Sequence, residues 1–127
     1  MTTKLLFLCP HNAAKSVAAA AYVSRLGEQA GLSLSASTAG THPDAEVLGL
    51  VRDQLESEGF LVDSVPRTVR ASDLEEADHI INIGCSYDEL PTSKTVIDWE
   101  IPNFSDDPDS AFGALREHAA VFVSSLD

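Results

Sequence analysis

Cys9 and Lys15 belong to one short run, Cys9-Pro10-His11-Asn12-Ala13-Ala14-Lys15-Ser16. A thiol followed at this spacing by a cation and a hydroxyl can attack an electrophilic centre and hold the oxygens around it. The apolar run Leu5-Leu6-Phe7-Leu8 leads into the cysteine, and an alanine-rich stretch from Val17 to Leu26 follows the serine. Strand, short loop and helix in that order place the loop's N–H groups at a helix N-terminus. Orphan amides and the positive end of the helix dipole converge there, which makes an anion site. The same field stabilises a thiolate at the loop's start. The chemistry on offer is a nucleophilic Cys9 facing an oxyanion held by His11, Asn12, Ala13, Ala14, Lys15 and Ser16. Asn12 suits such a loop because asparagine tolerates φ > 0 better than most residues. The alternative is a buried structural Cys9 followed by an ordinary helix start, with Lys15 facing solvent.

The elements that must position this loop follow the alternation of a parallel α/β sheet. The helix from about Ser16 ends near Gly31, a natural left-handed stop. Leu32, Leu34 and Ala36 alternate with serines as a second strand, closing in Ala39-Gly40-Thr41. Asp44 is expected to cap a helix whose Val47, Leu48, Val51 and Leu55 share one face, ended by Gly59. Ser72-Asp73-Leu74-Glu75 has the pattern of a capping box. His79 to Ile83 is a third strand running into Gly84-Cys85, and Lys94 to Asp98 a fourth. Asp107-Pro108 gives an N-cap with proline at the first helical position. Phe112, Leu115, Ala119, Phe122 or Val123, and Leu126 then make an apolar stripe to the C-terminus. Residues 1–127 read as one doubly wound domain. In such sheets ligands sit at the carboxyl ends of strands, where Cys9, Cys85 and Trp99 fall together.

With 127 residues and 44% hydrophobic content, a real core is affordable. No apolar stretch approaches membrane-spanning length, and the N-terminus lacks the layout of a signal peptide. Two cysteines, Cys9 and Cys85, fit a reducing cytoplasm better than a disulfide scaffold. The formal charge is −12, from 20 acidic and 8 basic side chains. That argues against nucleic acid or anionic membrane as partners. It also repels an oxyanion at long range, so binding must come from local dipoles and Lys15, with salt screening the rest over roughly 8–10 Å. Lys4, Lys15 and Lys94 are the only lysines, which suits a high-salt host or an ordinary acidic bacterial protein. His11, His42, His79 and His118 show no metal-ligand spacing, and no nucleotide motif is present, so neither metal nor cofactor is expected. His42 reads as a turn residue and His118 as a helix-surface residue. Tyr87 is a candidate aromatic wall or a plain loop tyrosine.

The loop resembles the C-x5-R-S signature of the low-molecular-weight protein tyrosine phosphatase superfamily. Its wording, His11-Asn12-Ala13 and then a small residue, is nearest the thioredoxin-type arsenate reductase branch. Ser37 to Thr41 resembles that family's second-strand terminus, Ala77 to Cys85 the stretch ending in Gly-Cys, and Trp99-Glu100-Ile101-Pro102 the segment before the catalytic Asp-Pro. The resemblance implies a four-stranded parallel sheet of order 2-1-3-4 flanked by helices. It also implies Cys9 as nucleophile, with Lys15 where the family has arginine; the helix N-terminus, Lys15 and a hydroxyl bond from Ser16 are each expected to stabilise the thiolate. The family's general-acid aspartate falls on Asn103. Asp106 and Asp107 lie just beyond, and Asp107 is either the acid or simply the cap of the last helix. On this reading Asn103→Asp should raise turnover on poorly activated phosphates. Cys85 matches the first redox cysteine of the reductases, or is a small apolar residue at a strand end. No cysteine follows in Ser86 to Leu90, so a three-thiol internal relay cannot run.

The expectation is therefore an arsenate reductase-like enzyme: Cys9 attacks arsenate, and an external low-molecular-weight thiol or a redoxin supplies the electrons. The alternatives are a weak tyrosine phosphatase and a non-catalytic module binding phosphate, arsenate or sulfate.

Overall fold

The computed structural model describes residues 2–126. Four strands form one parallel sheet: β1 (Thr3–Leu8), β2 (Leu34–Ala39), β3 (His79–Asn82) and β4 (Val96–Asp98), in the order β2-β1-β3-β4. The connecting helices are α1 (Lys15–Gln29), α2 (Gly49–Ser57), α3 (Ala71–Glu76) and α4 (Pro108–Ser125). The order and the all-parallel pairing are those implied by the family resemblance.

β1 is central, and its Leu5 to Leu8 stretch is apolar and buried without a break because both faces of the sheet are covered there. Leu5 and Phe7 join Ile81, Val23, Leu55 and Leu115 on the face packed by α1, α2 and α4. Leu6 and Leu8 join Ile80 and Leu74 on the face packed by α3. Phe7 is fully buried, so its truncation to alanine would cost about 3–5 kcal/mol. The core thus fixes the carboxyl end of β1, from which the Cys9 loop departs.

Several boundaries differ from the sequence expectation. Asp44 caps nothing: α2 starts at Gly49, with Leu48 at its N-cap, and the Asp44 carboxylate lies 3.3 Å from the His11 ring. The capping arrangement of α3 sits two residues earlier than Ser72. Arg70 is the N-cap, and its N–H donates to the Asp73 carboxylate at 2.8 Å. Lys94 precedes β4 and instead reaches back to the Ala77 carbonyl at 2.9 Å. His118 is half-buried, stacked on Trp99 with ring centroids 5.2 Å apart. Gly31, with φ of +76°, stops α1 as its conformation requires, and Asp107 caps α4 through Ser110.

Candidate functional site

The loop from Cys9 to Ala14 turns sharply between β1 and α1, and Asn12 makes the turn in the left-handed region with φ of 50°. Its carboxamide works in two directions. Oδ1 accepts the Arg67 backbone N–H at 3.0 Å, and Nδ2 donates to Ser16 Oγ at 2.9 Å. Ser16 in turn approaches the nucleophile candidate: Oγ lies 3.0 Å from Cys9 Sγ, and its N–H donates to that sulfur at 3.4 Å. Cys9, Asn12 and Ser16 are all buried. With Asn12 donating to Ser16 Oγ, the hydroxyl proton is free to point at a thiolate, which then receives two donors from one residue.

The loop's carbonyls are turned away from this centre. Pro10 accepts from His42 N–H at 2.7 Å, His11 from Asp44 at 2.9 Å and Ala13 from Leu48 at 2.8 Å. The N–H groups of His11, Ala13, Ala14 and Lys15 have no hydrogen-bond partner among the described residues. No side chain caps α1, whose N-cap is Ala14. The result is a set of free amides at a helix start beside a sulfur, the arrangement an anion needs. A cavity of about 540 Å³ opens on it, lined by Cys9, His11, Ala13, Ala14, Lys15 and Asn103 among others. His11 directs its ring Nδ1 to the His42 carbonyl, 3.1 Å away, leaving its backbone N–H to the loop.

Lys15 does not stand free over the loop. Its Nζ donates to the Ile101 carbonyl and to Asn103 Oδ1, both at 3.0 Å. The two positions at which the chain departs from the resembled signature are therefore in contact. Asp107 is elsewhere: its carboxylate accepts the Ser110 N–H at 3.2 Å and the Ser110 hydroxyl at 2.7 Å. Those bonds hold its carboxyl below the usual carboxylate range. The cavity wall runs through Asn103, Phe104 and Ser105 without reaching Asp107. A carboxylate so placed is a helix cap and a poor proton donor.

Cys85 is buried and carries a free thiol, like Cys9. Burial pushes the Cys85 thiol up, partly offset by the Thr41 hydroxyl, whose oxygen is 3.9 Å from the sulfur. Asn82 pins the Cys85 backbone from both sides, at 2.9 Å each. Cys85 lines a neighbouring cavity of about 440 Å³ with Tyr87, Asp98 and Glu100, and Lys15 borders both cavities. The Tyr87 hydroxyl donates to Asp98, and that bond pushes the phenol's pKa above its ordinary value.

Three contributors have no local signal in the sequence. The Arg67 N–H that holds Asn12 lies 55 positions away. The Ile101 carbonyl that holds Lys15 lies 86 away. The third is the closeness of Gly40 to the loop, where a Cβ would stand 2.5 Å from the Pro10 carbonyl oxygen. Gly40 and Ile101 fall in the family-like stretches Ser37 to Thr41 and Trp99 to Pro102, and Arg67 falls in none.

Residues 4–95 match the family model for low molecular weight phosphotyrosine protein phosphatase. The chain belongs to that family. A protein of Halobacterium salinarum with a provisional arsenate reductase name is 38% identical over 112 residues, covering 85% of this chain and 76% of the relative. The thioredoxin-dependent arsenate reductase of Corynebacterium glutamicum superposes with a TM-score of 0.82 at 26% identity. That match covers 98% of this chain, which spans 60% of the Corynebacterium chain's length. The arsenate reductase of Archaeoglobus fulgidus gives 0.79 at 28% identity, with 94% of this chain and 98% of that one covered. The chain is thus similar to arsenate reductases within a phosphatase family. Among the described residues no helix is long and apolar enough to cross a membrane.

Proposed function

We propose that this protein is an arsenate reductase-like enzyme in which Cys9 is the nucleophile and an external thiol the reductant. The observation that carries the reading is the Cys9 sulfur, held by both the N–H and the hydroxyl of Ser16 beside unpartnered loop amides. The amides and Lys15 hold the oxygens of arsenate. The Cys9 thiolate attacks arsenic, forming an S–As bond, and hydroxide leaves as water after taking up a proton. A low-molecular-weight thiol, or the thiol of a redoxin, then attacks Cys9 Sγ. An S–S bond forms, the S–As electron pair stays on arsenic, and arsenite departs with arsenic reduced from the +5 to the +3 state. A second thiol reduces the mixed disulfide and returns Cys9. Cys85 is the one other thiol in the chain, so an internal alternative stops at a Cys9–Cys85 disulfide that again needs an external dithiol. Two free thiols suit a reducing compartment such as the cytoplasm.

Reduction needs no acid to protonate an ester leaving group, and Asn103 and Asp107 offer none. The family match favours a second reading, a weak phosphatase restricted to activated aryl phosphates. Arsenate-dependent oxidation of an added thiol, lost in Cys9→Ser, is the expected result. Cys9-dependent hydrolysis of an activated aryl phosphate without thiol oxidation would replace the proposal with the phosphatase. Sulfate or phosphate binding with neither turnover would leave only an oxyanion-binding module.

A further inference from the structure

We infer that Asn103 is a positioning residue for Lys15, a carboxamide that fixes the ammonium at the oxyanion loop without neutralising it. The inference rests on the oxyanion reading of the Cys9 loop. A lysine ammonium has three N–H donors on a flexible stem. Two of them are taken by the Ile101 carbonyl and Asn103 Oδ1. One is left, and the ammonium that carries it borders the same cavity as Cys9 and the free amides.

The acceptors are held by the core. Trp99 packs on Phe7 and Phe122, with centroids 5.9 and 6.1 Å apart. Phe104 packs edge-on against Phe112 at 4.7 Å. The segment between these anchors presents the Ile101 carbonyl and the Asn103 side chain in fixed places. A long side chain that would otherwise wander is thereby reduced to one donor direction.

The identity of residue 103 then decides the charge. Aspartate has the same shape and would accept the same bond, but it would pair with Lys15 and cancel the charge of the one lysine or arginine that lines the cavity among the described residues. In a chain of net charge −12 no surplus of positive field makes up that loss. Asn103 thus selects for anion binding at the expense of acid catalysis. Asn103→Asp, which looks from sequence like the return of a missing acid, should weaken the anion site.

Calorimetric titration with sulfate at fixed salt tests this, because sulfate keeps one charge state over the working pH range. Asn103→Ala should weaken sulfate several-fold, the worth of one net hydrogen bond, and Asn103→Asp about tenfold. In a Lys15→Ala background Asn103→Ala should change nothing, since no ammonium is left to place. An equal loss in both backgrounds would show that Asn103 touches the anion or shapes the segment, and would overturn the inference. So would Asn103→Asp that binds sulfate normally and gains turnover on poorly activated phosphates. Failure of the wild-type protein to bind any oxyanion would instead remove the reading beneath it.

Discussion

Gly40 and Pro10 meet backbone to backbone: a Cβ on Gly40 would lie 2.5 Å from the Pro10 carbonyl oxygen, and 2.6 Å from that of Cys9. The end of β2 is pressed against the loop that leaves β1. Gly40 also exchanges backbone bonds with the next segment, donating to the Arg67 carbonyl and accepting from Val69, both at 2.9 Å. Arg67 then supports Asn12. The loop is shaped by a clasp of three separate stretches of chain.

Gly40→Ala should push the loop away from β2, because neither carbonyl can yield without moving the peptide behind it. Overpacking of this kind costs about 1–3 kcal/mol. Urea denaturation should show that loss. Sulfate binding by the folded variant should fall further than stability alone explains. An unchanged affinity would mean that the loop relaxes without consequence.

Asn12 combines a strained backbone with one buried and one partly buried hydrogen bond. Asn12→Ala should cost about 2–3 kcal/mol, from the left-handed conformation and the Arg67 N–H left without a partner. Asn12→Gly removes the conformational part alone, so its stability should fall between alanine and wild type. Equal losses for glycine and alanine would assign the whole effect to the hydrogen bonds.

How much of this was legible follows from the range of each interaction. β1, the start of α1 and the cap of α4 show in local patterns: an apolar run, a switch of period, an Asp-Pro pair. The parallel order came from family resemblance, since alternation alone leaves it open. Asp44 and Ser72 misled because a capping residue is a common type, and only the chain's path decides whether a helix starts there. The 41–48 segment is held instead by carbonyls of the Cys9 loop, a tertiary arrangement with no sequence period. The Lys15–Asn103 contact spans 88 positions. Each residue could be flagged as a departure from the family, but their meeting could not.

Cys9 and Cys85 should differ in reactivity. The Cys9 sulfur has two Ser16 donors and lines the cavity, whereas burial raises the Cys85 thiol. Alkylation near pH 7.5, followed by peptide mass analysis, should label Cys9 about tenfold faster or more. Sulfate should slow Cys9 and leave Cys85 unaffected. Equal rates for the two would argue against the loop as a thiolate site.

Asp73 links the loop's support to pH. The Arg67 guanidinium bonds its carboxylate at 2.8 and 3.0 Å and, against a smaller desolvation effect, holds its carboxyl below the ordinary value. A depressed folded value means stability that is present above the unfolded value, near 3.9, and is lost as pH falls through the folded one. Asp73→Asn should cost about 1 kcal/mol at pH 7, and the gap to wild type should narrow towards pH 3. Urea midpoints at the two pH values measure it. A gap of constant size would show that the charge is not what matters.

Lys15→Arg should tighten arsenate, phosphate and sulfate. A guanidinium carries five N–H donors in a planar fork. It can keep the Ile101 carbonyl and Asn103 Oδ1 as partners, as Lys15 does, and turn two further N–H groups to the oxyanion. One added charge-assisted bond is worth about 1.5–3 kcal/mol, roughly a tenfold or greater gain in affinity. Lys15→Ala should weaken all three anions, and it should slow alkylation of Cys9 because a neighbouring positive charge is gone. The three proteins should be titrated calorimetrically with arsenate at one salt concentration, since screening alters charge effects over roughly 8–10 Å. A gain for arginine with a loss for alanine puts residue 15 on the anion. A loss for both means that the Ile101–Asn103 clamp fits an ammonium and excludes the wider fork. Identical affinities across the series would place residue 15 outside the site, and the free amides of the loop would then have to hold the anion alone.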